Sequence, residues 1–344
     1  MPQPLITQIE NIISNKTFTE QELLYNLKNL LYEFEIQNIN INDSKNIANL
    51  ISGNINLLNQ NNKPVNTIKT GFIEFDKIYG GFNYGEFVVI GGRPSMGKTQ
   101  LLVNLSLNIS ASIPVLYFTF DLSEYLLSNR FISSISKIPV AKILQYDITK
   151  KEKEILLEIQ CKIKEHKIFV NESCNSSLTS FKAHCKKQIQ ENGVKVIIVD
   201  YLQMMSSHKY KNNRDAEIGY ITQELKNIAK DNNVCVIASS QLSRAVENRC
   251  GSKRPELSDL RDSGAIEQDA DKVLFIYRPE YYGIDMDINF NNTAGLTELI
   301  VAKNRNGKIG TVKLLRDNNF THFRDFDNYN ENLSFSKERL NEIE

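Results

Sequence analysis

Apolar residues recur along this chain with two different periods, and the change of period divides it. Leu5, Ile6, Ile9, Ile12 and Ile13 fall at helical spacing. Thr19, with Glu22 three residues on and Phe18 placed to staple onto Leu23, starts a second helix. That helix carries Leu23, Leu24, Leu27, Leu30, Leu31 and Phe34 on one stripe. A third pattern begins near Asp43–Ser44 and carries Ile47, Leu50 and Ile51, and the asparagine-rich tract Asn54 to Asn62 reads as a linker or frayed helix end. Residues 1–62 therefore read as a helical segment with linker. They form either a small bundle on its own core or an amphipathic element docked on a neighbouring subunit, because so short a segment buries little by itself.

From residue 65 short apolar runs alternate with helical patterns. Strands are expected at Glu86–Ile90, Val115–Phe120, Lys167–Val170, Val194–Val199, Val234–Ala238, Lys272–Tyr277 and Glu298–Ala302, then a hairpin at Thr311–Leu315 and His322–Phe326. Helices fit at 98–112, 123–136, 151–165, 178–191 and 214–231. Near-continuous β-branched runs joined by helices predict an α/β fold with a mostly parallel sheet covered on both faces. No internal repeat is visible. The expected division is a helical segment over 1–62, one α/β domain over 63–330 and a tail over 331–344.

Composition adds limits. The chain has 344 residues, 41% apolar and 24% charged, with a formal net charge of zero, which neither requires nor excludes nucleic acid. Cys161, Cys174, Cys185, Cys235 and Cys250 form no C-x-x-C pair, so neither a zinc site nor a disulfide framework is expected. No run of about 18 apolar residues and no signal-peptide pattern occurs, so the expected location is cytoplasmic, with no membrane partner.

The strongest chemical signal is Gly92-Arg93-Pro94-Ser95-Met96-Gly97-Lys98-Thr99, set behind Phe87-Val88-Val89-Ile90 and ahead of Leu101, Leu102, Leu105 and Leu107. The glycines turn the chain tightly, and backbone N–H groups at the new helix's N-terminus point at an anion. Lys98 supplies charge for β/γ-phosphates and the Thr99 hydroxyl can hold Mg²⁺. A nucleoside triphosphate is the expected ligand.

Further signals sit at strand ends. Asp200 closes Val196–Val199, a costly place for a carboxylate unless it is paired or faces a cation; the metal held by Thr99 is one partner, and a helix N-cap the other reading. Asp121 closes Val115–Phe120 and is a candidate base that orients attacking water, or a cap for the helix near Ser123. In Ser239-Ser240-Gln241 the amide can sense a γ-phosphate, while capping serines are the plainer reading. Lys303-Asn304-Arg305 lies on a turn after Glu298–Ala302. It is either a solvated hairpin tip or a pair of fingers for a neighbour's phosphate, a device worth about 10³–10⁵ in rate. The stretch 253–271 lacks a strand pattern and holds Asp259-Leu260-Arg261-Asp262-Ser263-Gly264, suited to a nucleic-acid backbone or simply to solvent.

Together these segments resemble the motor domain of DnaB-type replicative helicases, a RecA-like P-loop ATPase fold. The resemblance runs in order through Thr70-Gly71-Phe72 to Gly80-Gly81, the phosphate-binding loop, V-I-I-V-D-Y-L-Q-M, A-S-S-Q-L-S-R, the run from Lys253 to Asp271, F-I-Y-R and K-N-R-N-G-K-I-G, over about 65–326. It implies a ring-forming DNA helicase, a hexamer, that moves 5′→3′ on single strands with ATP and Mg²⁺. Nucleotide contacts would come from Ser95, Met96, Gly97, Lys98, Thr99, Gln100 and Arg130, with Gln241 as sensor and the metal on Thr99 and Asp200. Lys303, Asn304 and Arg305 would reach the adjacent subunit's ATP, and Arg261, Asp262 and Gly264 would hold single-stranded DNA. Loader and primase are the family's further partners.

Two departures stand out. The family usually has Glu where this chain has Asp121, shorter by about 1.5 Å. The residues ahead of the motor suffice for a docking helix and fall short of the family's collar domain. Two other readings remain open from the residues: a RecA-like recombination or branch-migration ATPase, and a weakly hydrolysing, ATP-gated accessory subunit of a helicase ring.

Overall fold

The structure is a computed structural model that describes residues 5–14, 19–38, 46–59, 67–172, 177–207, 209–210, 213–249, 252–260, 263–286 and 292–326. The chain separates into two compact units, Met1–Pro64 and Val65–Glu344.

The first unit contains helices α1 (Leu5–Ser14), α2 (Glu20–Asn38) and α3 (Ile47–Asn59). At the start of α2 the Thr19 hydroxyl accepts from the Glu22 N–H, and the Glu22 carboxylate accepts from the Thr19 N–H and hydroxyl, the box the spacing predicts. That bonding holds the Glu22 carboxyl below its usual range. The tract from Asn54 differs from expectation: helix continues through Asn59, and residues 60–62 lie outside those described. No described side chain of this unit is fully buried, and Ile47 remains 68% exposed.

The second unit runs β1 (Thr67–Ile68), α4 (Ile73–Tyr79), β2 (Phe82–Asn83), β3 (Phe87–Gly92), α5 (Lys98–Ser110), β4 (Val115–Thr119), α6 (Glu124–Ser136), α7 (Val140–Leu144), α8 (Lys150–Lys162), β5 (Ile168–Glu172), α9 (Leu178–Asn192), β6 (Val196–Asp200) and α10 (Arg214–Asn232). It continues with β7 (Cys235–Gln241), α11 (Ala245–Asn248), α12 (Ser263–Asp269), β8 (Lys272–Tyr277), β9 (Leu296–Asn304), β10 (Gly310–Arg316) and β11 (Phe323–Asp325). Every expected strand and helix of this unit is present, with ends moved by one to a few residues. The expected tail, 331–344, lies outside the described residues.

Nine strands form one sheet in the order β11-β10-β9-β8-β3-β7-β6-β4-β5, parallel from β8 to β5 and antiparallel from β8 to β11. The alternation of side chains sorts each central strand between two cores. Val88 and Ile90, Tyr117, Val196 and Ile198 pack with α5 residues such as Leu102 and Leu105. Phe87, Val89, Leu116, Ile197 and Val199 pack with Phe181 of α9, with Ile218, Ile221 and Leu225 of α10, and with Ile266 of α12. Both faces are covered, so these strands are buried throughout, as a parallel sheet demands.

The pairing fixes the site. Gly92 stands beside Gln241, and Thr119 beside Asp200, so the phosphate loop and three candidate side chains share the carboxyl ends of adjacent parallel strands. At the opposite end a buried ion pair joins Lys272 Nζ to Glu86 Oε1 at 2.7 Å, and Asp271 accepts from the Phe87 N–H at 2.8 Å and from Lys226 at 2.6 Å.

Candidate functional site

The loop after β3 folds as its glycines require. Gly97 has φ +100° where α5 begins, and a Cβ there would stand 3.0 Å from the Phe323 ring; a Cβ on Gly92 would stand 2.5 Å from Ile276. Arg93 turns away from the loop's mouth, donating to the Leu242 carbonyl at 2.8 Å and pairing with Glu247 at 2.9 Å, which anchors the loop on the turn after β7. Lys98 Nζ folds back onto the Gly92 and Arg93 carbonyls at 2.8 and 3.1 Å. Burial pushes its ammonium down to about 8, against the opposing pull of Asp200.

A cavity of about 570 Å³ opens over this loop, lined by Ser95, Gly97, Lys98, Thr99 and Gln100, with Asp121, Arg130, Asp200 and Gln241 around them. Residues spread over more than 140 positions of sequence converge on the place the loop alone predicts. Asp200 is 4% exposed; its Oδ1 accepts from Ser239 Oγ at 2.6 Å and its Oδ2 from the Tyr117 hydroxyl at 3.0 Å. Burial and the neighbouring carboxylate push the Tyr117 phenol well above its ordinary value, so it stays a donor. Asp200 therefore caps no helix; its side chain belongs to this hydrogen-bonded set. Asp121 caps none either, because Ser123 Oγ accepts from the Leu126 N–H at the head of α6. Asp121 is exposed at the cavity's rim, two residues beyond β4.

Two expected contacts land differently. The Met96 side chain is 1% exposed in the core, and its N–H donates to the Arg93 carbonyl at 3.3 Å. Gln100 lines the cavity, but its Nε2 donates to the Thr321 carbonyl at 2.6 Å, leaving Oε1 buried without a protein partner. Lys303, Asn304 and Arg305 are absent from the cavity's lining. They close β9, where Asn304 pairs with Lys272, while the cavity lies beyond the other end of β8. The six residues of β8 separate the two places by roughly 17 Å. Lys303 Nζ donates to the Glu267 and Gln268 carbonyls at the end of α12, Arg305 reaches the Gln268 carbonyl, and Asn304 donates to the Lys308 carbonyl at 3.0 Å. Among the DNA-loop candidates, Arg261 and Asp262 lie outside the described residues, and Gly264 is exposed on the first turn of α12.

Sequence reading missed one wall of the cavity, made by Arg278, Tyr281 and Phe320. Arg278 and Arg316 approach the Phe320 ring at 4.4 and 3.8 Å, and Glu280 pairs with both guanidiniums. Burial opposes the Glu280 charge, yet the Gly295 N–H and the two arginines hold its carboxyl below the usual range. Arg278 also donates to the Ser95 carbonyl at 3.0 Å, tying this wall to the phosphate loop. A cation directly after a buried strand was a usable signal for Arg278. Phe320 had none, because its place depends on the β10–β11 turn folding back over α5.

A phosphate loop on the first strand of a mostly parallel sheet, with an acid at a neighbouring strand end and an amide on the strand between them, defines a RecA-like P-loop ATPase. Comparison with known proteins narrows the class. The family described as the DnaB-like helicase C terminal domain matches residues 67–325, and this chain belongs to that family. A probable replicative DNA helicase of Trieres chinensis is 38% identical over 317 residues, covering 89% of this chain and 68% of the relative. The replicative DNA helicase DnaB of Geobacillus stearothermophilus is 34% identical over 264 residues, covering 76% and 57%. Among solved structures, an isolated ATPase domain matches with TM-score 0.75 and 30% identity, over 83% of this chain and 100% of that one. A DnaB-like replicative helicase, solved to show its interactions with primase, matches with TM-score 0.73 and 28% identity, over 94% and 75%.

Proposed function

We propose that this chain is the ATP-driven motor of a replicative DNA helicase, and that each ATP is completed by a second copy of the chain. The observation that carries this reading is the separation of the cradle from the cationic turn, which sit at opposite ends of one sheet. A fingertip roughly 17 Å from its own cavity serves a neighbour's phosphate, not its own.

In the site, the loop's N–H groups and Lys98 take the β- and γ-phosphates, and Asp121 accepts a proton from the water that attacks the γ-phosphorus as ADP leaves. Gln241 contacts the γ-phosphate. Lys303 and Arg305 of the adjoining copy stabilise charge spreading over the transferred group. The donor set beside the loop, a Thr99 hydroxyl and the buried Asp200 carboxylate, is all oxygen and suits a hard cation. Mg²⁺ held there would neutralise phosphate charge. The Arg278–Phe320–Tyr281 wall, set off from the phosphate end, would face the nucleoside.

Arg261, Asp262 and Gly264 would hold the phosphates of single-stranded DNA, with movement 5′→3′. The exposed apolar face of α3, bearing Ile47, Ile51 and Ile55, supports the docking reading of the first unit over a self-sufficient bundle. The assembly would be a homo-hexamer, with a loader or primase as a further partner.

ATPase and strand displacement on forked DNA test the proposal together. We expect single-stranded DNA to stimulate turnover strongly and duplex to be unwound. Turnover that ignores DNA would instead support the accessory-subunit reading, and strand exchange without unwinding the recombination reading.

A further inference from the structure

β6 and β7 stop pairing before either strand ends. Their ladder closes at Val199 and Ala238, whereas β7 continues to Gln241. In a parallel ladder alternate N–H groups face alternate neighbours. The Leu242 N–H turns to Gly92 on β3, so the Gln241 N–H faces the side where β6 has already left. One side chain fills that gap. Gln203, in the short 3₁₀ turn after β6, accepts from the Gln241 N–H on its Oε1 at 3.2 Å and donates from Nε2 to Ser240 Oγ at 2.8 Å.

The turn that carries Gln203 is itself held from α10. Arg214 donates to the Gln203 carbonyl at 2.6 Å and the Met205 carbonyl at 3.2 Å, and it pairs with Glu217 at 2.6 Å. The other Glu217 oxygen accepts from the Ser207 N–H at 2.6 Å. The carboxamide of Gln203 therefore works from a fixed base.

We propose that Gln203 is a positioning residue for ATP hydrolysis: it stands in for the missing strand and fixes the main chain of Gln241, so that the Gln241 amide meets the γ-phosphate in register. The proposal rests on the reading of Gln241 as the phosphate sensor. Gln203 itself touches neither nucleotide nor water; it acts through the peptide it holds. A loosely held sensor should cost turnover more than affinity, since a 1 Å misplacement can cost about 10²-fold in rate.

The test is a double-mutant cycle on kcat and KM for ATP, in the full chain with single-stranded DNA, using Gln203→Met, Gln241→Ala and both together. We expect Gln203→Met to lower kcat by about 10- to 100-fold with little change in KM. We expect the double variant to be no slower than Gln241→Ala alone. Losses that multiply, or an unchanged kcat in Gln203→Met, would overturn the proposal while leaving the sensor in place. An unchanged kcat in Gln241→Ala would remove the sensor reading itself, and the proposal with it. Melting curves accompany each variant. If Gln203→Met unfolds at assay temperature, Gln203→Glu enters the same cycle; it keeps the acceptor, with Ser240 turned to donate, and should stay within a fewfold of the parent.

Discussion

Arg305 is held by Asp271 twice: its main-chain N–H donates to the Asp271 carbonyl at 2.9 Å, and its guanidinium lies 3.3 Å from Oδ1. Asp271 is in turn bound by Lys226 and by the Phe87 N–H. The fingertip is thus fastened to the far end of the very strand that opens the phosphate loop. Mixing experiments exploit this. Lys98→Ala and Arg305→Ala copies should each be inactive alone, yet a mixture should regain turnover at about a quarter of seams, those pairing an intact cradle with an intact finger. Steady-state ATPase of the mixture reads it directly; no recovery at any ratio would contradict the shared site.

Asp121 stands at the rim of the cavity with no helix to cap. Asp121→Asn should abolish turnover while a fluorescent ATP analogue still binds with near-parental affinity. Asp121→Glu extends the carboxylate by about 1.5 Å and should preserve or raise kcat. Retained turnover in Asp121→Asn would place the base elsewhere.

The Lys98 ammonium, pushed down to about 8 by burial, loses its proton as pH rises through that value. Bound phosphates favour the protonated form, so ATP affinity should be constant below pH 8 and fall about tenfold per unit above it. Its sign for the free protein is the reverse: the unfolded chain keeps the Lys98 proton up to the ordinary lysine range, so this residue's contribution to stability improves between pH 8 and 10. Titration calorimetry across pH 7–9.5 checks the binding limb, and Lys98→Met should flatten it.

Lys272 is 2% exposed and its only charged partner among the described contacts is Glu86, itself 4% exposed. Lys272→Met would leave a buried carboxylate uncompensated, at a cost of about 3–5 kcal/mol. Replacing both partners, Lys272→Met with Glu86→Gln, should recover much of that loss in denaturant titrations.

The central strands, the phosphate loop and the strand-end residues Asp200 and Gln241 were legible because each is announced locally, by an apolar run and the polar residue that ends it. Asp121 was legible for the same reason. The aromatic wall was not, since Phe320 meets the cavity only through a strand order that places β10 and β11 beyond β9. Gln203 was visible as a letter and not as a brace, because its partner lies 38 residues away on a strand whose neighbour stops short. Gln100 shows the converse. Adjacency to Thr99 suggested a ligand contact, and the turn at Thr321 claimed its amide first.

Because cradle and fingertip occupy opposite ends of one sheet, copies of this chain meet head to tail. A closed circle of such copies finishes every nucleotide pocket, whereas an arc always leaves one terminal pocket without its cation. Parting the circle to admit a DNA strand would therefore idle one pocket by geometry alone, and closure would switch it on.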